Sequence, residues 1–97
     1  MNRHTLSKNL TTTKLKEYGF RHMGNDYYSY RILGYNTIYI YFTIGFEDRT
    51  FVYDVKCEDG TIYHPFYSND ATNHVRHTIK NILETEINKM IKKGIIN

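Results

Sequence analysis

The fold is decided by one stretch in the middle of the chain, Thr37-Ile38-Tyr39-Ile40-Tyr41-Phe42-Thr43-Ile44-Gly45-Phe46. Its apolar residues alternate with Thr and Tyr, which is typical of a β-strand with one buried face. We therefore predict a strand from Thr37 to Phe46. The residues expected to face the core are Ile38, Ile40, Phe42, Ile44 and Phe46. The residues expected to face away are Thr37, Tyr39, Tyr41 and Thr43.

Two neighbouring stretches extend this strand into an antiparallel sheet. We predict strands over Tyr27–Leu33, ending in a turn at Gly34-Tyr35-Asn36, and over Thr50–Cys57. The inward residues of the latter should be Phe51, Tyr53, Val55 and Cys57. Asp59-Gly60 is a hairpin signal, because this kind of turn needs positive φ. It predicts a short fourth strand over Thr61–His64, which Pro65 restricts to the sheet edge.

Helices are expected at both ends of the chain. The first spans Leu6–Tyr18 and stops at Gly19, or begins only at the threonines 11–13 with one of them as N-cap. The last begins at a cap chosen among Asn69, Asp70, Thr72 and Asn73 and runs to about Lys93. Its apolar stripe comprises Val75, Ile79, Ile82, Leu83, Ile87, Met90 and Ile91. Gly94 and Ile95 fit a Schellman ending.

Together these elements predict a single α+β domain over residues 1–97, ordered α-β-β-β-(β)-α. Its three- or four-stranded antiparallel sheet should carry two helices on one face. No apolar run is long enough to span a membrane or to serve as a signal peptide. The lone Cys57 fits a reducing compartment, so we expect a cytoplasmic protein with no membrane partner.

The chain is rich in tyrosine, with 10 in 97 residues, and this is its strongest functional hint. The predicted outward face brings Tyr39 and Tyr41 beside Tyr27 and Arg31 of the neighbouring strand. Tyr and Arg are enriched in protein interfaces, so these four residues are the candidate protein-binding site. Two other interpretations stay open: cross-strand pairs that only stabilise the sheet, and a platform on which single-stranded bases stack.

Basic residues outnumber acidic ones in the first and last quarters of the chain. Residues 1–24 carry five Lys or Arg against one acid, residues 25–70 three against seven, and residues 71–97 five against two. This pattern offers an alternative function, nucleic-acid binding through the helices. The candidate residues for it are Lys14, Lys16, Arg76, His77 and Lys80.

That alternative is accompanied by a resemblance. The αβββα order and the basic start of the last helix resemble the double-stranded-RNA-binding domain. The likeness is one of topology. The stretch from Asn73 to Thr78 lacks that family's lysine-rich signature, and the loop Gly34-Tyr35-Asn36 is shorter than its groove-probing loop.

Chemistry-bearing groups form no recognised catalytic or metal-binding motif. His74 and His77 lie one helical turn apart, but His64 and Cys57 have no zinc-ligand spacing relative to them. We therefore expect no metal, no cofactor, no catalytic residue and no enzymatic activity. Glu86 falls inside the apolar arc of the last helix. We expect it to pair with a Tyr hydroxyl, Arg21 or His22, or to reach water at the edge of the arc.

A second resemblance concerns three segments spread along the chain. Tyr18-Gly19-Phe20, the run Tyr27–Arg31 and the ending Lys92–Ile96 resemble small uncharacterised proteins of phages and mobile elements in low-GC Gram-positive bacteria. This resemblance implies a non-enzymatic inhibitor of host defence, such as an anti-CRISPR protein that binds an RNA-guided nuclease. The expected partner is then a host protein, with nucleic acid and a homodimer left open.

Overall fold

The computed structural model describes residues 4–68 and 73–97. Its seven elements are α1 (Thr12–Tyr18), β1 (Arg21–His22), β2 (Tyr27–Tyr35), β3 (Ile38–Gly45), β4 (Thr50–Cys57), α2 (His64–Tyr67) and α3 (His74–Lys92). The four strands form one antiparallel sheet in the order β1-β2-β3-β4. The predicted α+β class, with helices on one face of an antiparallel sheet, is therefore confirmed.

The alternation of β3 sets the two faces of the sheet. Ile40, Phe42 and Ile44 are fully buried, whereas Tyr39 and Tyr41 between them are only half-buried. The Phe42 ring lies 6.0 Å from the Phe51 ring and stacks on it across the β3–β4 pair. The predicted division into core and outer residues is confirmed from Ile38 to Ile44, whereas Phe46, predicted to face the core, lies beyond the strand and is only partly buried.

Helices α1 and α3 cover the buried face. Leu15 of α1 and three residues of α3, namely Ile79, Leu83 and Met90, complete the same core. The predicted stripe is too wide at its end, because Ile91 remains 40% exposed. The side chain of Asn73 caps α3 by accepting a hydrogen bond from the Arg76 amide. The alternative caps Asn69, Asp70 and Thr72 lie outside the described residues.

Helices α1 and α3 both end in Schellman motifs. In α3 the Ile95 amide donates to the Met90 carbonyl and the Gly94 amide to the Ile91 carbonyl. Gly94 has φ 76°, a conformation that costs other residues energy, and Ile95 folds back into the core. In α1 the Phe20 amide donates to the Leu15 carbonyl in the same way. Both predicted glycine stops are confirmed.

The first helix is shorter than its longest predicted form. It begins at Thr12, with Thr11 as N-cap accepting from the Lys14 amide, so the prediction of a start at Leu6 is wrong. Before it, Leu6 forms a β-bridge with Ile96, and a turn follows in which the Leu10 amide donates to the Ser7 carbonyl. The apolar residue at position 6 is buried by the end of the chain, not by a helix face.

The fourth strand lies elsewhere than predicted. Thr61–His64 is no strand, since only Ile62 forms a bridge, to Lys56. Pro65 instead occupies the first turn of α2, where its missing N–H costs nothing. The additional strand is β1, whose Arg21 and His22 pair with Ser29 and Tyr28.

Candidate binding surface on the open side of the sheet

The side of the sheet opposite the helices is open among the described residues. We call it the outer face. Cross-strand register assigns to it Arg21, Tyr27, Ser29, Arg31, Leu33, Tyr39, Tyr41, Thr43, Val52, Asp54 and Lys56. All side chains of the sheet in the buried core belong to the other face, so no described helix packs on this one.

Two tyrosines at the centre of the outer face are each held by a cation. The Arg31 guanidinium lies 4.8 Å from the centroid of the Tyr39 ring. The Lys56 ammonium lies 5.5 Å from the Tyr41 ring, and the two rings are 6.4 Å apart. Contacts of this kind are worth about 0.5–1 kcal/mol each at exposed sites. They bring four side chains together in one group, Arg31, Tyr39, Tyr41 and Lys56, which we call the tyrosine patch.

Of the four predicted protein-binding residues, three come together and one does not. Arg31, Tyr39 and Tyr41 share the tyrosine patch, as the alternation predicts. Tyr27 also faces outward and is 46% exposed, but it lies opposite Gly45. It is four strand residues from Arg31, about 13 Å away. Tyr27 therefore belongs to the outer face without touching the tyrosine patch.

Two exposed apolar residues of the outer face were not predicted as part of the binding site. Leu33 is 54% exposed and pairs with Tyr39, while Val52 is 53% exposed and pairs with Thr43. Both follow the two-residue period of their own strands, so the same alternation that identified Tyr39 and Tyr41 could have found them. Their exposure makes the outer face apolar as well as aromatic, which is characteristic of interaction surfaces.

The charged residues of the outer face are mostly basic. Across the four strands, the outer face carries three basic residues and one acidic residue, Asp54. The basic residues are Arg21, Arg31 and Lys56. A surface of this balance is complementary to an acidic one.

The basic residues proposed for nucleic-acid binding form two separate groups. Arg76 and Lys80 line a cleft of about 510 Å³ between α3, α2 and β4. Lys14 lines a second cleft, on the opposite flank of α3, with Lys89 and Lys93. Lys16 and His77 are exposed and line neither cleft. The structure therefore does not bring the five residues into one continuous surface.

Glu86 pairs with a tyrosine hydroxyl, one of the partners that the sequence suggested. It is half-buried, and the Tyr18 hydroxyl donates a hydrogen bond to its Oε2. Burial raises the pKa of Tyr18 well above its ordinary value, and the Glu86 carboxylate raises it further. The pKa of Tyr30 is raised by the same two causes. The arrangement favours the neutral form of both phenols and hydrogen-bonds Tyr18 to Glu86, which is a structural role.

No group of three or more His, Cys, Asp or Glu side chains that could hold a metal occurs in residues 4–68 and 73–97. Within the same residues, no helix is both long and apolar enough to cross a membrane.

Comparisons with known proteins give a fold and no activity. No protein-family profile and no curated protein matches the chain. Its structure is similar to the crystal structure of a DUF1831 family protein from Lactobacillus plantarum, with a TM-score of 0.71 and 16% sequence identity. The match covers 97% of this chain and 84% of that one. At this identity the likeness concerns the fold alone.

Proposed function

We propose that the chain is a non-enzymatic binding protein that contacts another protein through the outer face of its sheet. The observation that carries this proposal is the tyrosine patch: two tyrosines clamped by Arg31 and Lys56 on a sheet face that no described helix covers. Contacts among these side chains reduce the conformational entropy that they lose on binding, which favours this patch as a binding surface.

A protein partner suits this patch better than stacked bases. Single-stranded bases stack on well-exposed aromatic rings. The rings of Tyr39 and Tyr41 are half-buried and have a cation beside each of them. The flanking side chains of Leu33 and Val52 offer aliphatic contacts without hydrogen bonds to bases. A rigid aromatic centre with an aliphatic border resembles the core of a protein interface.

The charge of the outer face suggests the chemistry of the partner. Arg21 and Arg31 on one side of the tyrosines and Lys56 on the other would meet carboxylates on the opposing surface. We therefore infer a partner whose contact region combines apolar residues with an acidic border.

A host nuclease remains the proposed target class, and it rests on the resemblance to phage and mobile-element proteins. An inhibitor of this kind works in the cytoplasm, where the unpaired Cys57 stays reduced. It needs no active site of its own, because occupying a surface of the nuclease is sufficient.

A capture experiment with paired variants tests the proposal. The wild-type chain, a Tyr39→Ala/Tyr41→Ala variant and a Lys14→Ala/Lys16→Ala variant are immobilised and exposed to nuclease-treated lysate of a low-GC Gram-positive bacterium. We expect one protein, identified by mass spectrometry, to be retained by the wild type and by the lysine variant and lost by the tyrosine variant. Circular dichroism of each variant serves as the control for folding.

The opposite pattern would replace the proposal. Retention by the tyrosine variant and loss by the lysine variant would place binding on the helices. A partner captured from a parallel untreated lysate but not from the nuclease-treated one would indicate a nucleic-acid ligand, whose binding should weaken steeply with salt.

A further inference from the structure

Strand β4 forms one edge of the sheet, and its second half is closed by the chain itself. The Val55 amide donates to the Tyr67 hydroxyl at 2.9 Å, and the Val55 carbonyl accepts from the Tyr63 amide at 2.9 Å. The Cys57 amide donates to the Thr61 carbonyl at 2.8 Å. Residues 61–67 therefore satisfy the backbone groups that point away from β3 at this end.

Among the described residues, the first half of the same edge has no hydrogen-bonding partner. Backbone groups in a strand alternate in direction with a period of two residues, so those of Phe51 and Tyr53 point the same way as those of Val55. No hydrogen bond from residues 4–68 or 73–97 reaches them. The open segment Thr50–Tyr53 is about 13 Å long, room for three or four residues of another strand.

A partly apolar, basic cleft adjoins this open edge on the helical side of the sheet. It has a volume of about 510 Å³. Its lining includes His4, Tyr53, Phe66, Arg76, Lys80 and Leu83, and the His4 ring lies edge-on to the Phe51 ring at a centroid distance of 6.3 Å. The Nε of Arg76 donates to the Phe66 carbonyl at 3.1 Å, which anchors the guanidinium in the cleft wall. Lys80 lies one helical turn further along α3, and Glu84 is the one acid that the described residues contribute to the lining.

We propose that the β4 edge and this cleft together bind an extended acidic segment of another protein. The segment adds to the sheet as a short strand beside Thr50–Tyr53, through backbone hydrogen bonds to Phe51 and Tyr53. One of its side chains that points toward the helices carries a carboxylate, which enters the cleft and pairs with Arg76 and Lys80. Backbone pairing supplies the affinity and the carboxylate supplies the selectivity.

Charge complementarity favours such a segment over a second copy of this chain. If two copies paired along their open edges, the side chains directed to the helical side would be Phe51 and Tyr53. The nearest acid of β4, Asp54, lies on the outer face. A copy would therefore bring no further carboxylate to Arg76 and Lys80, whose cleft Glu84 also lines.

The site is separate from the tyrosine patch, and its test uses a defined peptide. The probe is a capped peptide of alternating threonine and valine in which the central valine is replaced by glutamate. Titration into the isotope-labelled chain should shift the amide signals of residues 50–53 and of the cleft. Exchanging the glutamate for glutamine should weaken binding at least about fivefold. The Arg76→Gln/Lys80→Gln variant should show the same loss, whereas Lys92→Gln, on the same helix outside the cleft, should bind like the wild type.

A peptide that is N-methylated at alternate amides separates edge pairing from simple charge attraction. It keeps the carboxylate but cannot form the ladder, so its binding should be lost. The proposal is overturned if the methylated peptide binds as well as the parent. It is also overturned if no amide signal of residues 50–53 moves at millimolar peptide, or if the edge is already protected by self-association in sedimentation experiments.

Discussion

The hydroxyl of Tyr18 donates a hydrogen bond to the carboxylate of Glu86 and thereby joins the last turn of α1 to the second half of α3. The contact explains why an acidic residue lies within the apolar arc of α3. Lys89 adds to the same cluster, with its ammonium 5.6 Å from the Tyr18 ring. The two helices are therefore connected by a polar contact at the margin of the core.

Removing the hydroxyl should destabilise the fold more than neutralising the acid. Tyr18→Phe leaves a half-buried carboxylate without this donor, and we expect a loss of about 1–2 kcal/mol in the free energy of unfolding. Glu86→Gln keeps an acceptor and should cost less than about 1 kcal/mol. Urea denaturation of both single variants and the double variant should give a coupling energy above about 0.5 kcal/mol. Glu84→Gln, on the exposed flank of α3, is the matched control. If the losses of the two single variants add up to that of the double variant, the contact contributes no coupling energy.

The same cluster predicts a loss of stability in alkali. Burial, and then Glu86, raise the pKa of Tyr18 and Tyr30 above that of unfolded tyrosine. Their contribution is complete below about pH 10, the pKa of the unfolded side chain, and declines as the pH rises toward the folded pKa. If the urea denaturation midpoint is measured at each pH from 8 to 11, it should therefore decrease once the pH exceeds about 10. The fall should be smaller in Tyr18→Phe, and an equal fall in both proteins would contradict this cause.

Phe42 is the clearest test of the assignment of sheet faces. It is fully buried and stacks on Phe51, so Phe42→Ala should cost about 3–5 kcal/mol through lost burial and a cavity. Val52→Ala on the outer face of the neighbouring strand is the control and should cost less than about 1 kcal/mol. Equal denaturation midpoints for the two variants would mean that the faces are reversed.

Replacing two glycines of positive φ by alanine distinguishes the cost of backbone strain from the cost of a steric clash. Gly19 has φ 124° and Gly24 has φ 106°, so alanine is strained at both. A Cβ at Gly19 would lie 3.1 Å from Cε1 of Tyr30, whereas one at Gly24 would meet nothing within 4 Å. Gly24→Ala should cost about 1–2 kcal/mol, and Gly19→Ala at least about 1 kcal/mol more. Thermal unfolding measures the difference. Equal costs would show that the Tyr30 ring moves aside freely.

Local patterns account for much of this fold. The alternation in β3 predicted both of its faces, and the Lys-Gly-Ile ending of α3 predicted a Schellman motif. These signals succeed because they depend on neighbouring residues. The prediction of Arg31, Tyr39 and Tyr41 as one cluster needed only the additional assumption that β2 and β3 are adjacent.

The remaining features depend on contacts between distant residues. Arg21 and His22 have no strand signal of their own and are recognised only through their pairing with Ser29 and Tyr28. Leu6 is placed by its bridge to Ile96, which no local pattern reveals. The open edge at Phe51 and Tyr53 also required the structure, because it depends on where residues 61–67 leave the sheet.

The binding role of the tyrosine patch is the central claim, and the affinity of the captured partner tests it most directly. Isothermal titration of that purified partner should show Tyr39→Ala/Tyr41→Ala weaker than the wild type by more than about 2 kcal/mol, roughly 30-fold. Lys14→Ala/Lys16→Ala should change the affinity less than about threefold, with mild salt dependence. An unchanged affinity in the tyrosine variant, while its fold stays intact, would contradict the account.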